Sequence, residues 1–261
     1  CHVEHWKDTR MANDHIFRSG EVGRPSNIEK NIEKRSFLLK NVPLFEDLGG
    51  DEVYSLAEIS MVRQVAEDAI ILLADEEGDT LFVIVSGRVK VTVMSEDGRE
   101  VILSILKDGD FFGEMSLLDG KPRSASVIAT EKTELIMLRR VDFLSRLERH
   151  PQMASQMLST LASRLRKTNR QVESLALLNV YGRIAGTLLQ LSEDQGVKED
   201  RGIVIPERPV HQEIANMAGT TRETVSRVFN DLERRGYIQR EGREILILNA
   251  DRLRDDFFHT T

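Results

Sequence analysis

The sequence predicts an α+β protein built in three regimes: an antiparallel β-roll domain, one long helix, and a winged helix-turn-helix. Three observations predict it. Between about residues 63 and 139, short Val- and Ile-rich runs alternate with Gly/Asp turns. Leu158, Leu161, Leu165, Thr168, Val172 and Leu175 then follow one another at spacings of 3, 4, 3, 4 and 3. Beyond Asn179 come helical segments broken by Gly219 and followed by a hairpin around Glu241-Gly242.

Residues 1–35 are polar, contain Gly20, Gly23 and Pro25, and read as a flexible extension before the first packed segment. Leu38, Leu39, Val42, Leu44 and Phe45 open the β-domain, assigned to 36–150, with a short helix near Asp51–Ile59. Its strands are expected at Ala69–Leu73, Thr80–Val85, Val89–Met94, Val101–Leu106, Ala125–Ala129 and Glu134–Leu138. The turns between them are Glu77-Gly78-Asp79, Ser86-Gly87, Asp97-Gly98, Asp108-Gly109-Asp110 and Asp119-Gly120. Turn signals at such intervals, with no helix-length segment between strands, favour an antiparallel sandwich or roll over a parallel sheet.

Pro151 opens a helix, assigned to 151–178, whose apolar spacing is that of a coiled-coil seam with Thr168 as its one polar member. Arg164, Arg166, Lys167, Arg170 and Glu173 flank the seam, which suits pairing with a twin helix in a homodimer. The alternative is one helix docked along its own β-domain. In the last domain, 179–261, a helix is expected over Gly182–Leu191, a polar loop over Ser192–Arg201 and a strand over Ile203–Ile205. Helices at His211–Ala218 and Thr221–Arg235 follow, then strands Tyr237–Gln239 and Glu244–Leu248.

The 261 residues give room for about two domains of ordinary size. No apolar run approaches the ~20 residues of a membrane span, and no secretory signal pattern opens the chain, so a cytoplasmic protein is expected. Cys1 is the only cysteine, which excludes a Cys₄ zinc site, an internal disulfide and an iron–sulfur cluster. His2 and His5 do not amount to a metal site, so no metal is expected, and Met11 is a candidate initiator that the sequence alone does not decide. The net charge of −7 speaks against general affinity for nucleic acid, but a local basic face governs phosphate contact. Between Arg208 and Arg243 seven arginines stand against five acidic residues, so this stretch is basic within an acidic chain.

That stretch carries the first candidate site. Ile214, Ala215 and Met217 make an apolar stripe, and Gly219 suits the sharp turn between two helices. Thr220 and Glu223 have capping-box spacing, placing the start of the second helix near Thr221. Val225, Val228, Phe229 and Leu232 form its buried face, leaving Thr221, Arg222, Glu223, Ser226 and Arg227 at the end a recognition helix presents to the major groove. Arginine can bond guanine O6 and N7, and glutamate can accept from cytosine N4. Two quieter readings stay open: Glu223 caps its own helix, or it pairs with Arg227 one turn on.

The second candidate site lies in Gly109–Val127. Gly113 permits close backbone approach, Arg123 offers a planar fork and Ser124 a hydroxyl for an anion, and Glu114 suits a sugar hydroxyl. A cation fork with a hydroxyl acceptor describes a nucleotide better than a bare anion. The alternative is an Arg–Glu pair that only holds a turn.

The run Gln212-Glu-Ile…Gly219-x-x-Arg222-Glu-Thr-Val-x-Arg227 resembles the DNA-binding motif of the CRP/FNR superfamily, closest to its cyclic-AMP-receptor branch. The resemblance extends over about residues 36–250. It implies that Arg222, Glu223 and Arg227 contact bases and that half-sites like TGTGA are preferred. Phe112-Gly-Glu…Pro122-Arg-Ser-Ala similarly resembles the phosphate cassette of cyclic-nucleotide-binding domains. This implies ligand contacts from Gly113, Glu114, Met115, Arg123 and Ser124, with Glu114 on the ribose 2′-hydroxyl and Arg123 and Ser124 on the cyclic phosphate. It also implies base contacts from the long helix at Arg164, Thr168 and Asn169, the last departing from the usual serine.

Cyclic AMP is the expected ligand, with a cyclic dinucleotide, another ligand or no ligand as alternatives. Double-stranded DNA, a second copy of the chain and RNA polymerase are the expected partners, with Ser192–Arg201 a polymerase contact by resemblance only. No Ser-His-Asp set, metal-ligand spacing or Walker loop is present, so no enzyme is expected. Arg123→Leu is expected to lower ligand affinity and leave the core intact.

Overall fold

The computed structural model describes residues 27–258. Cys1, His2, His5 and Met11 lie outside the described residues. The first helix, α1, spans Asn27–Lys40 and so begins inside the stretch that composition reads as a flexible extension. Its Ile32 and Leu39 are buried, and Arg35 donates to the Ser60 carbonyl, which ties α1 to the start of the β-domain. A 3₁₀ turn at Pro43–Phe45 and helix α2 at Gly50–Ile59 complete this cap, burying Leu44, Phe45, Val53 and Leu56.

Eight strands follow: β1 Met61–Val65, β2 Ile70–Leu72, β3 Thr80–Ser86, β4 Val89–Met94, β5 Glu100–Leu106, β6 Phe111–Phe112, β7 Ser126–Ala129 and β8 Thr133–Arg139. They form two four-stranded antiparallel sheets, ordered β1-β8-β3-β6 and β2-β7-β4-β5. One core lies between them, built from Val65, Phe82, Ile84, Val89, Phe112, Val127 and Leu135. Burying both inner faces is what the alternating apolar runs require. A second core sits outside the first sheet, under α1, α2 and the helices α4 (Arg140–Arg149) and α5 (Pro151–Leu177). Between β6 and β7 lies α3, Glu114–Asp119.

Helix α5 is docked on its own β-domain over part of its length. Met153 and Met157 are buried and Leu161 packs on the β-domain, so the first three turns are docked. Leu158, Leu165, Val172 and Leu175 are exposed, Leu165 at 61%. Among the described residues little covers Leu158, Leu165 and Val172, which form an uncovered stripe in helical register; Leu175, at its end, lies beside Gly219.

The C-terminal unit has its own core around Ile184, Leu188, Ile214, Val225, Phe229 and Ile245. It comprises α6 Val180–Gln195, β9 Val197–Glu199, β10 Gly202–Ile205, α7 His211–Ala218, α8 Arg222–Arg234, β11 Ile238–Glu241, β12 Glu244–Ile247 and α9 Ala250–Phe258. Its sheet runs β11-β12-β10-β9. The expected polar loop Ser192–Arg201 is instead the end of α6 followed by an edge strand, because Val197–Glu199 pairs with Gly202–Val204. Helix α9 had no counterpart in the expected element order; it is held by Leu253, which is fully buried.

Candidate functional site

The nucleotide-type cluster is assembled by β6, α3 and the segment before β7. Gly113 takes φ +82° at the head of α3, and a Cβ there would stand 2.8 Å from Arg123 Nη1 and 3.0 Å from the Thr80 carbonyl oxygen. Only glycine satisfies both the conformation and the space. Arg123 is 5% exposed and turns inward. Its Nη1 donates to the Gly113 carbonyl at 2.7 Å and to Ser116 Oγ at 2.6 Å, and its Nη2 to the Thr80 carbonyl at 2.9 Å. Among the described residues its buried Nε finds no hydrogen-bond partner. Burial lowers the guanidinium pKa from its ordinary value, opposed by the nearby Asp79 and Glu114 charges.

Glu114 is buried, and its Oε1 accepts from Arg164 Nη1 of α5 at 2.8 Å. Arg164 also donates to the Phe111 carbonyl and stacks over the Phe111 ring, 4.8 Å from its centroid. The turn-holding alternative is thus met in altered form. Arg123 binds backbone and a serine, and Glu114 pairs with the long helix instead. This also corrects the expectation for Arg123→Leu: the buried guanidinium is the donor to two part-buried carbonyls and the buried Ser116 hydroxyl, so the substitution reaches the core.

Ser124 and Met115 are exposed beside this cluster, with Ser124 Oγ donating to Met115 Sδ at 3.3 Å. Thr168 and Asn169 are exposed on α5, one turn beyond Arg164, and the Thr168 hydroxyl donates to the Arg164 carbonyl at 3.1 Å. The structure therefore brings Gly113, Glu114, Arg123 and Arg164 together, and leaves Thr168 and Asn169 on the face that carries the uncovered stripe.

Two residues that sequence reasoning missed complete the cluster. Ser116 is buried and accepts from Arg123. Gly78 is needed for space: a Cβ there would stand 2.1–2.4 Å from three guanidinium atoms of Arg123. Gly78 reads as turn punctuation in sequence, and nothing local says that it faces a residue 45 positions away.

The second cluster is the helix-turn-helix. Gly219 ends α7 at φ +60°, and α8 is capped by Thr221, whose hydroxyl accepts from the Thr224 N–H at 3.3 Å. The cap is therefore Thr221 and not Thr220, one residue later than the capping-box spacing suggests. Arg222, Glu223 and Arg227 are exposed on the first two turns, and Val225, Val228, Phe229 and Leu232 are buried as their spacing predicts. Among the described residues, Glu223 forms no ion pair with Arg227. Its carboxyl is held below its ordinary value by its own backbone N–H and the Thr221 hydroxyl, so the capping reading has support. Ser226 is half-buried, 2.9 Å from His211 Nδ1.

The two clusters are mechanically connected. Asn216 of α7 donates to Glu100 of β5 at 2.7 Å, and Glu100 is paired with Lys90 of β4 at 2.7 Å. Gln171 of α5 donates to the Ile102 and Met217 carbonyls at 3.3 and 3.5 Å. Within the C-terminal unit, Arg183 Nε of α6 donates to the Ala218 carbonyl of α7 at 2.9 Å. Beside Arg164, a cavity of about 400 Å³ opens between β5, α5 and α6, lined in part by Ile102, Ser104, Lys167, Gln171 and Thr187. No described helix is long and apolar enough to cross a membrane.

Comparison with known proteins matches both clusters. Residues 62–150 match the cyclic nucleotide-binding domain family, and residues 182–256 match the Crp-like helix-turn-helix domain family. A CRP-like cAMP-activated global transcriptional regulator of Mycobacterium tuberculosis is 36% identical over 178 residues, 68% of this chain and 80% of that protein. Among solved structures, a CooA mutant from Carboxydothermus hydrogenoformans superposes with TM-score 0.68 at 26% identity, covering 76% of this chain and 88% of that one. The c-di-GMP responsive global regulator CLP of Xanthomonas campestris gives TM-score 0.62 at 26% identity, covering 73% and 95%. The curated relative is named as a transcription regulator, not as an enzyme. With both matched domains in this order on this fold, the chain belongs to the CRP family of ligand-responsive, DNA-binding transcription regulators.

Proposed function

We propose that the chain is a cytoplasmic homodimer that binds palindromic TGTGA-like sites under the control of cyclic AMP. The observation that carries the ligand assignment is the arrangement of Arg123, Glu114 and Arg164. Arg123 is anchored at both terminal nitrogens yet keeps a buried Nε–H with no acceptor, in a cradle that a Cβ at Gly78 or Gly113 would fill. An anion with shallow, directional oxygens fits a donor of that kind. The buried Glu114 carboxylate supplies the acceptor for a ribose hydroxyl, and Met115 and Ser124 stand at the rim. Arg164, with Thr168 and Asn169 one turn on, brings the long helix to the same ligand.

A nucleotide held there touches the face of α5 that bears Leu165 and Val172, the stripe proposed to meet a second copy. Ligand binding then biases how the two helices pair, and through Gln171 and Asn216 the pose of each helix-turn-helix. On α8, Arg222, Glu223 and Arg227, with Ser226 behind them, are proposed to face the major groove beside the Thr221 cap. RNA polymerase is proposed as the further partner, as expected for a regulator of transcription.

The second reading, control by a cyclic dinucleotide, is favoured by Asn169 in place of serine and by the cavity beside Arg164. It also has the precedent of a structural neighbour described as c-di-GMP responsive. Calorimetry against cyclic AMP, cyclic GMP and c-di-GMP, paired with gel shifts on a palindromic duplex, separates the readings. Tightest binding and the largest gain in DNA affinity with cyclic AMP are expected; an equal response to all three defeats the assignment.

A further inference from the structure

His211 opens α7, and its ring lies in the seam between α7 and α8. Nδ1 is 2.9 Å from Ser226 Oγ, and the ring stands edge-on to Phe229, with centroids 5.1 Å apart and planes at 74°. Nε2 is buried and has no hydrogen-bond partner among the described residues. The charged groups acting on the ring come from three elements: Arg208 before α7, Arg240 on β11 and Arg222 on α8. Arg240 is itself tied to Glu233 of α8. Among the described residues, no ion pair reaches His211.

We propose that His211 is a positioning residue for DNA reading: as a neutral imidazole it holds the Ser226 hydroxyl inside the α7–α8 seam. Ser226 then fixes the pose of the recognition helix and does not read a base, while Arg222, Glu223 and Arg227 remain the exposed readers. This rests on the DNA-reading assignment of α8 made above. In the neutral ring one nitrogen bonds Ser226 and only one is orphaned. Protonation makes both nitrogens donors and leaves a buried cationic N–H without an acceptor among the described residues, in the repulsive field of three guanidiniums. Burial first, and those arginines second, hold the ring's pKa below its ordinary value. The seam is therefore complete above that ordinary value, about 6.5, and loosens as pH falls below it.

The test uses the full chain with cyclic AMP, a palindromic TGTGA duplex and a scrambled duplex, followed by fluorescence anisotropy between pH 7.5 and 5.5. The wild type is expected to lose about threefold to tenfold more specific affinity on acidification than His211→Gln. Ser226→Ala is expected to weaken binding without changing the ranking of base-substituted half-sites. Parallel pH profiles for wild type and His211→Gln overturn the proposal, as does affinity that rises on acidification in the wild type alone. A changed preference at one half-site position in Ser226→Ala also overturns it. An NMR titration of the wild-type His211 ring keeps the proposal testable if a variant fails to fold: a midpoint at or above the ordinary histidine value refutes it. If the wild type at pH 7.5 prefers neither duplex, the DNA-reading assignment itself has failed, a result distinct from those above.

Discussion

The Glu114 carboxylate meets the Arg164 guanidinium at 2.8 Å, joining the glycine-headed turn of the β-domain to the long helix across 50 positions of sequence. Glu114 is nearly inaccessible and Arg164 partly exposed, so the pair stands at the edge of the core. Removing the arginine alone leaves a buried carboxylate without its cation. Arg164→Ala should therefore lower the melting temperature, and Arg164→Ala with Glu114→Gln should recover part of the loss. A double-mutant cycle by chemical denaturation is expected to give a coupling of about 0.5–3 kcal/mol. Additive losses would show that the pair does not join the two elements energetically.

Arg123 offers a sharper case, because its two roles separate by measurement. Arg123→Leu removes the donor to Gly113, Ser116 and Thr80 and should cost about 1–3 kcal/mol of stability in addition to nucleotide affinity. Gly78→Ala perturbs the same guanidinium from the other side, since the new Cβ must push it from its seat. The displaced guanidinium strains its three hydrogen bonds but keeps its donors, so Gly78→Ala is expected to weaken nucleotide binding and to lower the melting temperature by less than Arg123→Leu does. Calorimetry and thermal melts on both variants decide it. Full ligand affinity in Gly78→Ala would mean that the inward pose of Arg123 does not matter for binding.

How much of this was legible in the sequence follows from the range over which each feature is determined. The six strands read from Val/Ile runs and Gly/Asp turns all form, because alternation and turn chemistry are local. Strands β1 and β6 were missed for opposite reasons. β1 is an edge strand exposed at its first four positions, so it shows no buried alternation, and β6 has only two residues. Residue types announced Glu114, Arg123, Arg222 and Arg227, but not their partners. That Arg123 points inward, that Ser116 receives it and that Gly78 makes room all depend on packing between distant segments. The same holds for Asn216, an unremarkable polar residue of α7 until β5 is placed against it.

Asn216 carries one direct contact between the ligand domain and the helix-turn-helix, through Glu100 of the β4–β5 hairpin. Coupling between sites requires a contact that differs between states, and this one joins the strand beside the cavity to the helix before the recognition helix. Asn216→Ala should therefore shrink the ratio of DNA affinities measured with and without nucleotide by about fivefold or more, while nucleotide affinity in the absence of DNA changes little. Glu100→Gln keeps the shape and an acceptor for Asn216 but loses the ion pair with Lys90, and should show a smaller effect. An unchanged ratio in Asn216→Ala would remove this contact from the path.

The uncovered stripe on α5 yields the remaining prediction. Leu165 is 61% exposed, so replacing it costs the isolated chain almost no buried apolar area. A lysine there keeps good helix propensity, and a surface change of this kind alters monomer stability by about 0.5 kcal/mol or less. Against a twin helix the same lysine would face its own copy across a seam made, apart from Thr168, of leucine and valine, where a like charge has no partner and poor hydration. Leu165→Lys is thus expected to convert a dimer to monomer in sedimentation velocity, with far-ultraviolet circular dichroism unchanged. Specific DNA affinity should fall with it, because one half-site supplies only half of the contacts. A Leu165→Lys protein that sediments as a dimer would place the self-association surface elsewhere on the chain.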